Sequence, residues 1–124
     1  MARILLAEDE APLREFVSRA LESDGHAVSA VADGGQAVAK LGGQQFDLLL
    51  ADIRMPVMDG VALALKVTTD HPDMPILLMT GFADEMRRAH NLDRLVDDVI
   101  SKPFSLQQIC KAVNRALDRA PVAN

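Results

Sequence analysis

Polar residues with chemical potential stand where four short apolar runs stop. Glu8 and Asp9 follow Ile4-Leu5-Leu6-Ala7, and Asp52 follows Leu48-Leu49-Leu50-Ala51. Thr80 follows Ile76 to Met79, and Lys102 comes just after Val99-Ile100. Runs of this length, bounded by polar and turn residues, fit strands buried on both faces of a parallel sheet. In open α/β sheets ligands bind outside the carboxyl ends of strands, where all these groups would sit. Three carboxylates gathered at one edge repel, and without a cation they would not all stay ionised at neutral pH. Lys102 supplies one positive charge. A hard divalent ion would supply more, and Mg²⁺ suits a carboxylate site that keeps several waters and takes phosphate as a further ligand. Thr80 offers a hydroxyl to an added anionic oxygen. A carboxylate nucleophile beside Mg²⁺ and lysine fits phosphoryl transfer onto Asp52, where positioning and charge neutralisation carry most of the catalysis. Singly, each group reads as an ordinary solvated charge, since Asp often does no more than end a strand. Their recurrence after four separate apolar strands is what favours a site.

The elements that must position them follow in order. After the first strand, Pro12 suits the first turn of a helix carrying Leu13, Phe16, Val17, Ala20 and Leu21, which Asp24-Gly25 ends. Ala27 to Val31 reads as the second strand. Asp33 is the N-cap of a helix with Ala37, Val38 and Leu41, stopped by Gly42-Gly43. Beyond the Asp52 strand, Pro56 and Asp59-Gly60 force a loop, and a helix from Val61 to Thr69 buries Leu63 and Leu65 or their neighbours. The fourth strand ends on Thr80-Gly81, and a mostly polar helix runs from Asp84 to His90. After the short fifth strand, Ser105 and Gln108 have capping-box spacing. The helix they open shows Leu106, Ile109, Val113, Ala116 and Leu117 on one face. Five strands alternating with five helices give an α/β, doubly wound parallel sheet covered on both faces. One domain is expected over residues 1–119, with a short tail at 120–124 and no output domain.

Composition closes off several classes. The chain has 124 residues, a net charge of −5, no Trp or Tyr and only 3% aromatics. Base-stacking surfaces and nucleic-acid binding are not expected of it. A single cysteine, Cys110, cannot form an internal disulfide. No apolar run is long enough for a membrane span or signal peptide, so a cytoplasmic protein is expected.

The segments ILLAEDE, LLLADIRMPVMDG, ILLMTGFA and ISKPF, in this order and at these separations, resemble the receiver domain of bacterial two-component response regulators. The resemblance implies the chemotaxis-protein-like, flavodoxin-like fold with five strands in the order 2-1-3-4-5. It implies that Asp52 is the phosphoacceptor, that Asp9 ligates Mg²⁺ directly, and that Glu8 acts through water. The backbone carbonyl of Arg54 would be a further ligand. Thr80 matches the switch hydroxyl, Lys102 the lysine that pairs with the phosphoryl group, and Gly81 the small residue that leaves it accessible. Lys102-Pro103 matches the family's cis peptide. The partners implied are a histidine kinase or histidine phosphotransfer protein and a downstream protein target, bound by a monomer or weak dimer. More narrowly, the ILLAED opening and TGFA resemble the CpdR-type regulators of alphaproteobacteria, in which the unphosphorylated receiver primes the ClpX protease.

Two positions depart from the family pattern. Val99 stands where many receivers carry an aromatic switch residue, and Leu95-Val96 replaces a common Gly-Ala turn. Without a ring at 99, movement on activation is expected to be modest and centred on Gly81 to His90. The output face would lie around Arg87, Val99 and Lys111. The side chains of Arg54 and Phe82 flank the site where the family tunes phosphoryl lifetime. A constitutive adaptor that uses phosphate little is the alternative that Val99 suggests. A Mg²⁺-dependent phosphohydrolase is a further one, opposed by Arg54, which occupies the place of a general acid two residues beyond Asp52. The chain is therefore expected to be a binding module and not an enzyme. His26, His71 and His90 read as surface residues, Cys110 as a packed helix residue and the methionines as loop and core filling. Asp97-Asp98 reads as a solvated turn, and Arg87-Arg88 as a solvated face.

Overall fold

The computed structural model describes residues 1–119, and the tail expected at 120–124 lies outside the described residues. Strands β1 (Arg3–Ala7), β2 (Ala27–Val31), β3 (Leu48–Asp52), β4 (Ile76–Thr80) and β5 (Asp98–Ser101) alternate with helices α1 (Ala11–Ser23), α2 (Gly34–Gly43), α3 (Gly60–Asp70), α4 (Ala83–His90) and α5 (Leu106–Arg119). All neighbouring strands pair parallel in the order β2-β1-β3-β4-β5. Among the described residues no helix is long and apolar enough to cross a membrane.

Because side chains alternate across a strand, the continuous apolar runs feed two cores. Leu5, Leu49, Ala51 and Leu78 pack on one side with Ala37, Leu63 and Val67. Ile4, Leu6, Leu48, Leu50 and Leu77 pack on the other with Val17, Leu21, Ile109 and Val113. Each of these leucines and isoleucines is fully buried, which stabilises by about 1.5–3 kcal/mol apiece. The central strands are thus fixed from both faces, and the residues that end them are held in place.

The caps expected at Asp33 and Ser105 form, and Asp59 adds a third. Asp33 and Asp59 accept from the backbone N–H groups of Gln36 and Ala62, both at 2.8 Å. Ser105 and Gln108 bond reciprocally, at 2.7 and 3.1 Å. The apolar stripes are narrower than expected. In α3 the buried set is Leu63, Ala64 and Val67, and Leu65 projects to solvent from the far side of the helix. Phe16 in α1 lies one residue off the Val17-Ala20-Leu21 stripe, and Leu106 overhangs the first turn of α5; both are exposed.

Three readings of surface residues need correction. The His26 ring is 8% exposed; its Nδ1 accepts from the N–H of Ala2 at 3.1 Å and its Nε2 donates to Asn114 Oδ1 at 3.0 Å. It ties β1 to α5. Asp97 lies in an exposed bend, where its Oδ2 accepts from the N–H of Ile76 at 2.7 Å, but Asp98 is half-buried in β5, with Oδ1 accepting from the N–H of Val99 at 2.8 Å. Arg87 is half-buried against β5, leaving only Arg88 exposed. The approach to β5 contains a single 3₁₀ turn, Leu92–Arg94, entered through Asn91 at φ +52° and anchored by the fully buried Leu92. Cys110 is packed as expected: its Sγ lies 3.6 Å from the Ala20 carbonyl, and burial pushes the thiol pKa up.

Candidate functional site: a carboxylate cluster at the carboxyl edge of the sheet

The parallel sheet brings the ends of β1, β3, β4 and β5 to one edge. Asp52 pairs in register with Met79, and Thr80 with Ser101. Lys102 is drawn in by its backbone N–H, which donates to the Thr80 carbonyl at 2.9 Å. From there its Nζ reaches Asp52 Oδ2 at 3.0 Å and Glu8 Oε1 at 3.2 Å. The peptide that follows, Lys102-Pro103, is cis, as the resemblance implies.

The acidic half is unevenly buried. Glu8 is fully enclosed and Asp52 nearly so, while Asp9 is exposed. Each of the three offers a carboxylate oxygen within 4.8 Å of the others. Burial pushes the Glu8 pKa up to about 7; the N–H of Glu10 opposes this, and the Asp52 charge reinforces it. Burial alone would lower the Lys102 pKa, but the hydrogen bond and charge of Asp52, then those of Glu8, outweigh it and raise the value. One ammonium is therefore shared by two buried carboxylates with a third at the rim. Hard oxygen donors at this spacing, short of positive charge, fit a divalent cation of the Mg²⁺ type.

The loops around the cluster are fixed from the backbone. Arg14 in α1 donates from Nη1 to the Glu8 carbonyl at 2.8 Å, a support that sequence reasoning missed. Its only signal was a basic residue in the helix that follows the acidic pair. The Arg54 N–H donates to Asp52 Oδ1 at 3.4 Å. Gly60 brings α3 back against the strand: a Cβ there would fall on the carbonyl oxygen of Asp52 and on Ile53. Thr80 is buried, and its Oγ1 accepts from the N–H of Phe82 at 3.2 Å, which leaves the hydroxyl proton for another acceptor. The Arg54 guanidinium stacks on the exposed Phe82 ring at 5.9 Å from its centroid.

At the side of the site, α4 is clasped to β5. Arg87 Nη2 donates to Asp98 Oδ1 and to the Val99 carbonyl, both at 2.8 Å, while its buried Nε has no hydrogen-bond partner. Val99 is 6% exposed and belongs to the core beneath α4. Sequence reasoning placed both residues near the output face but missed that they are bonded together.

Comparison with known proteins gives a consistent result. The profile of the response regulator receiver domain matches residues 4–114. The response regulator receiver protein CpdR of Brucella abortus is 39% identical over 94% of this chain and 98% of its own length. The transcriptional regulatory protein TcrA of Mycobacterium tuberculosis is 32% identical over 97% of the chain, which spans only 47% of that relative. Among solved structures, the chemotaxis response regulator CheY4 of Vibrio cholerae superposes with a TM-score of 0.86 at 29% identity, covering 94% of this chain and 98% of that one.

Proposed function

We propose, since the chain belongs to the response regulator receiver domain family, that Asp52 is its phosphoacceptor and that Lys102 and Thr80 read its phosphorylation. The observation that carries this is the shared ammonium: Lys102 holds the one acidic residue that ends a central strand buried on both faces. An Asp52 oxygen attacks the phosphorus of a donor, the bond from phosphorus to the donor's leaving atom breaks, and an acyl phosphate forms. The donor class is a phosphohistidine on a histidine kinase or phosphotransfer protein, and the readout is a downstream protein target. As Asp52 becomes an acyl phosphate, Lys102 exchanges the Asp52 carboxylate for a phosphoryl oxygen while Glu8 remains beside it, and the Thr80 proton serves another oxygen. Glu8, Asp9, Asp52 and the carbonyl of Arg54 would hold Mg²⁺. That ion, when bound, would offset the negative charge of the carboxylates and of the entering phosphoryl group.

Arg87 gives Val99 a part in this reading. With no ring at 99, the path outward runs from Thr80 through Gly81 and Phe82 into α4, and Arg87 carries it to β5. Incubation with acetyl phosphate and Mg²⁺ should add one phosphoryl mass to the intact protein. Asp52→Asn should abolish the gain, and equal labelling of that variant would sink the assignment.

A further inference from the structure

The two edges of the sheet are finished differently. On β5, Val99 has its N–H taken by Asp98 and its carbonyl by Arg87. Edge strands that carry charge and occupied polar groups resist pairing with other chains. The β2 edge has neither protection. Its sequence, Ala27-Val28-Ser29-Ala30-Val31, has no charge and no proline.

The free groups on β2 can be located from the ladder. It opens with the Ala27 N–H donating to the Ala2 carbonyl at 2.9 Å, and closes with the Glu8 N–H donating to that of Val31 at 3.0 Å. Backbone groups alternate in direction along a strand, so Ala27, Ser29 and Val31 face β1, and Val28 and Ala30 face outward. Among the described residues nothing bonds the N–H or C=O of these two. The neighbouring groups are closed off: the His26 N–H goes to the Leu21 carbonyl at 3.1 Å, and the Ala32 N–H to Gln36 Oε1 at 2.8 Å.

We infer that β2 pairs antiparallel with β2 of a second copy, Ser29 facing itself across a two-fold axis. Only this register uses the free groups and no others. Val28 of each copy exchanges two hydrogen bonds with Ala30 of the other, giving four in all. Centring the axis on Val28 would demand the occupied N–H of His26, and centring it on Ala30 that of Ala32. Side-chain sizes agree as well, because each valine lies opposite an alanine (Val28 with Ala30, Val31 with Ala27). A cleft of about 500 Å³ runs beside the strand, lined in part by Ala30, Gln36, Ala39 and Lys40, with no carboxylate among its lining residues. On the α2 side of the edge no carboxylate of this cleft opposes the approach. A five-residue strand buries little area, so the dimer is weak and concentration-dependent. It does not depend on Asp52.

Ser29 facing itself is a non-hydrogen-bonded pair, whose Cα atoms stand about 4.5 Å apart, within the range of roughly 4.4–6.8 Å that a disulfide bridges. In a Cys110→Ala background, Ser29→Cys should give a disulfide dimer under mild oxidation at high protein concentration, and Ala27→Cys at least tenfold less. Adding Ala30→Lys to Ser29→Cys should cut the yield tenfold or more, as should Ala30→Pro, which removes an outward N–H. The positional contrast stands even if these added variants fold poorly. Equal cross-linking at 27 and 29 overturns the register. A monomer at every concentration, as expected if the edge takes only an extended segment of another protein, overturns the proposal.

Discussion

At two places one basic side chain is shared among acceptors, and the two are balanced differently. Lys102 faces Glu8 and Asp52, both buried, with Asp9 within reach at the rim. Arg87 faces Asp98 and the neutral carbonyl of Val99, with Asp93 at 3.9 Å and partly in water. In the first, negative charge exceeds positive, and burial, reinforced by the Asp52 charge, pushes the Glu8 pKa up to about 7. In the second, a single guanidinium nitrogen, Nη2, serves both the carboxylate and the carbonyl, and the buried Nε is left without a partner. A surplus of buried charge marks a place built to receive something. One cation against one half-buried carboxylate instead clasps α4 to β5.

Removing the cation from each cluster tests that difference. Lys102→Ala should lower the rate of labelling by acetyl phosphate by about 10²-fold or more, since a positioned charge at the transferring group is lost. Arg87→Ala should leave labelling of Asp52 within a few-fold of the parent and cost about 1–2 kcal/mol of stability, read by urea unfolding. If Arg87→Ala abolished labelling, or Lys102→Ala left it untouched, the contrast between the clusters would fail.

The burial of Glu8 beside Asp52 should also show in the metal-free protein as pH is raised. Glu8 keeps a proton in the folded state up to about pH 7, whereas in the unfolded chain it releases it near its ordinary 4.5. Between those values the folded state binds more protons, so this group withdraws stability as pH rises from about 5 to 7 and adds no further slope above. Mg²⁺ competes with that proton, and its stabilisation should be larger at pH 8 than at pH 5. At tenfold excess over its Kd the gain is about 1.4 kcal/mol, or roughly 5 °C in melting temperature. Asp9→Ala should erase most of it. An equal shift in the variant would remove Asp9 from the ion's ligands.

Much of this was legible in the sequence because it depends on local pattern. Three apolar runs of four, before Glu8, Asp52 and Thr80, and the pair Val99-Ile100 shortly before Lys102 read as buried strands with polar ends, and a parallel sheet brings those ends together. The capping box at Ser105 and the turn at Asp59-Gly60 are equally local. What escaped were contacts between residues distant in sequence. Arg87 reads as a solvated helix residue until β5 is laid beside α4, and His26 reads as a surface ring until α5 covers it with Asn114. Spacing alone does not separate Phe16 from the Val17-Ala20-Leu21 stripe, nor Leu65 from its neighbours Ala64 and Val67, because the exposed side of a helix tolerates single apolar residues. The 3₁₀ turn at Leu92 had no periodicity to announce it.

The most direct test asks which carboxylate carries the phosphoryl group. After labelling with acetyl phosphate and Mg²⁺, borohydride reduces an aspartyl phosphate to homoserine, and peptide mapping locates it. The account predicts homoserine at position 52 and unmodified residues at Glu8 and Asp9. Reduced product at position 9 with none at 52 would contradict it.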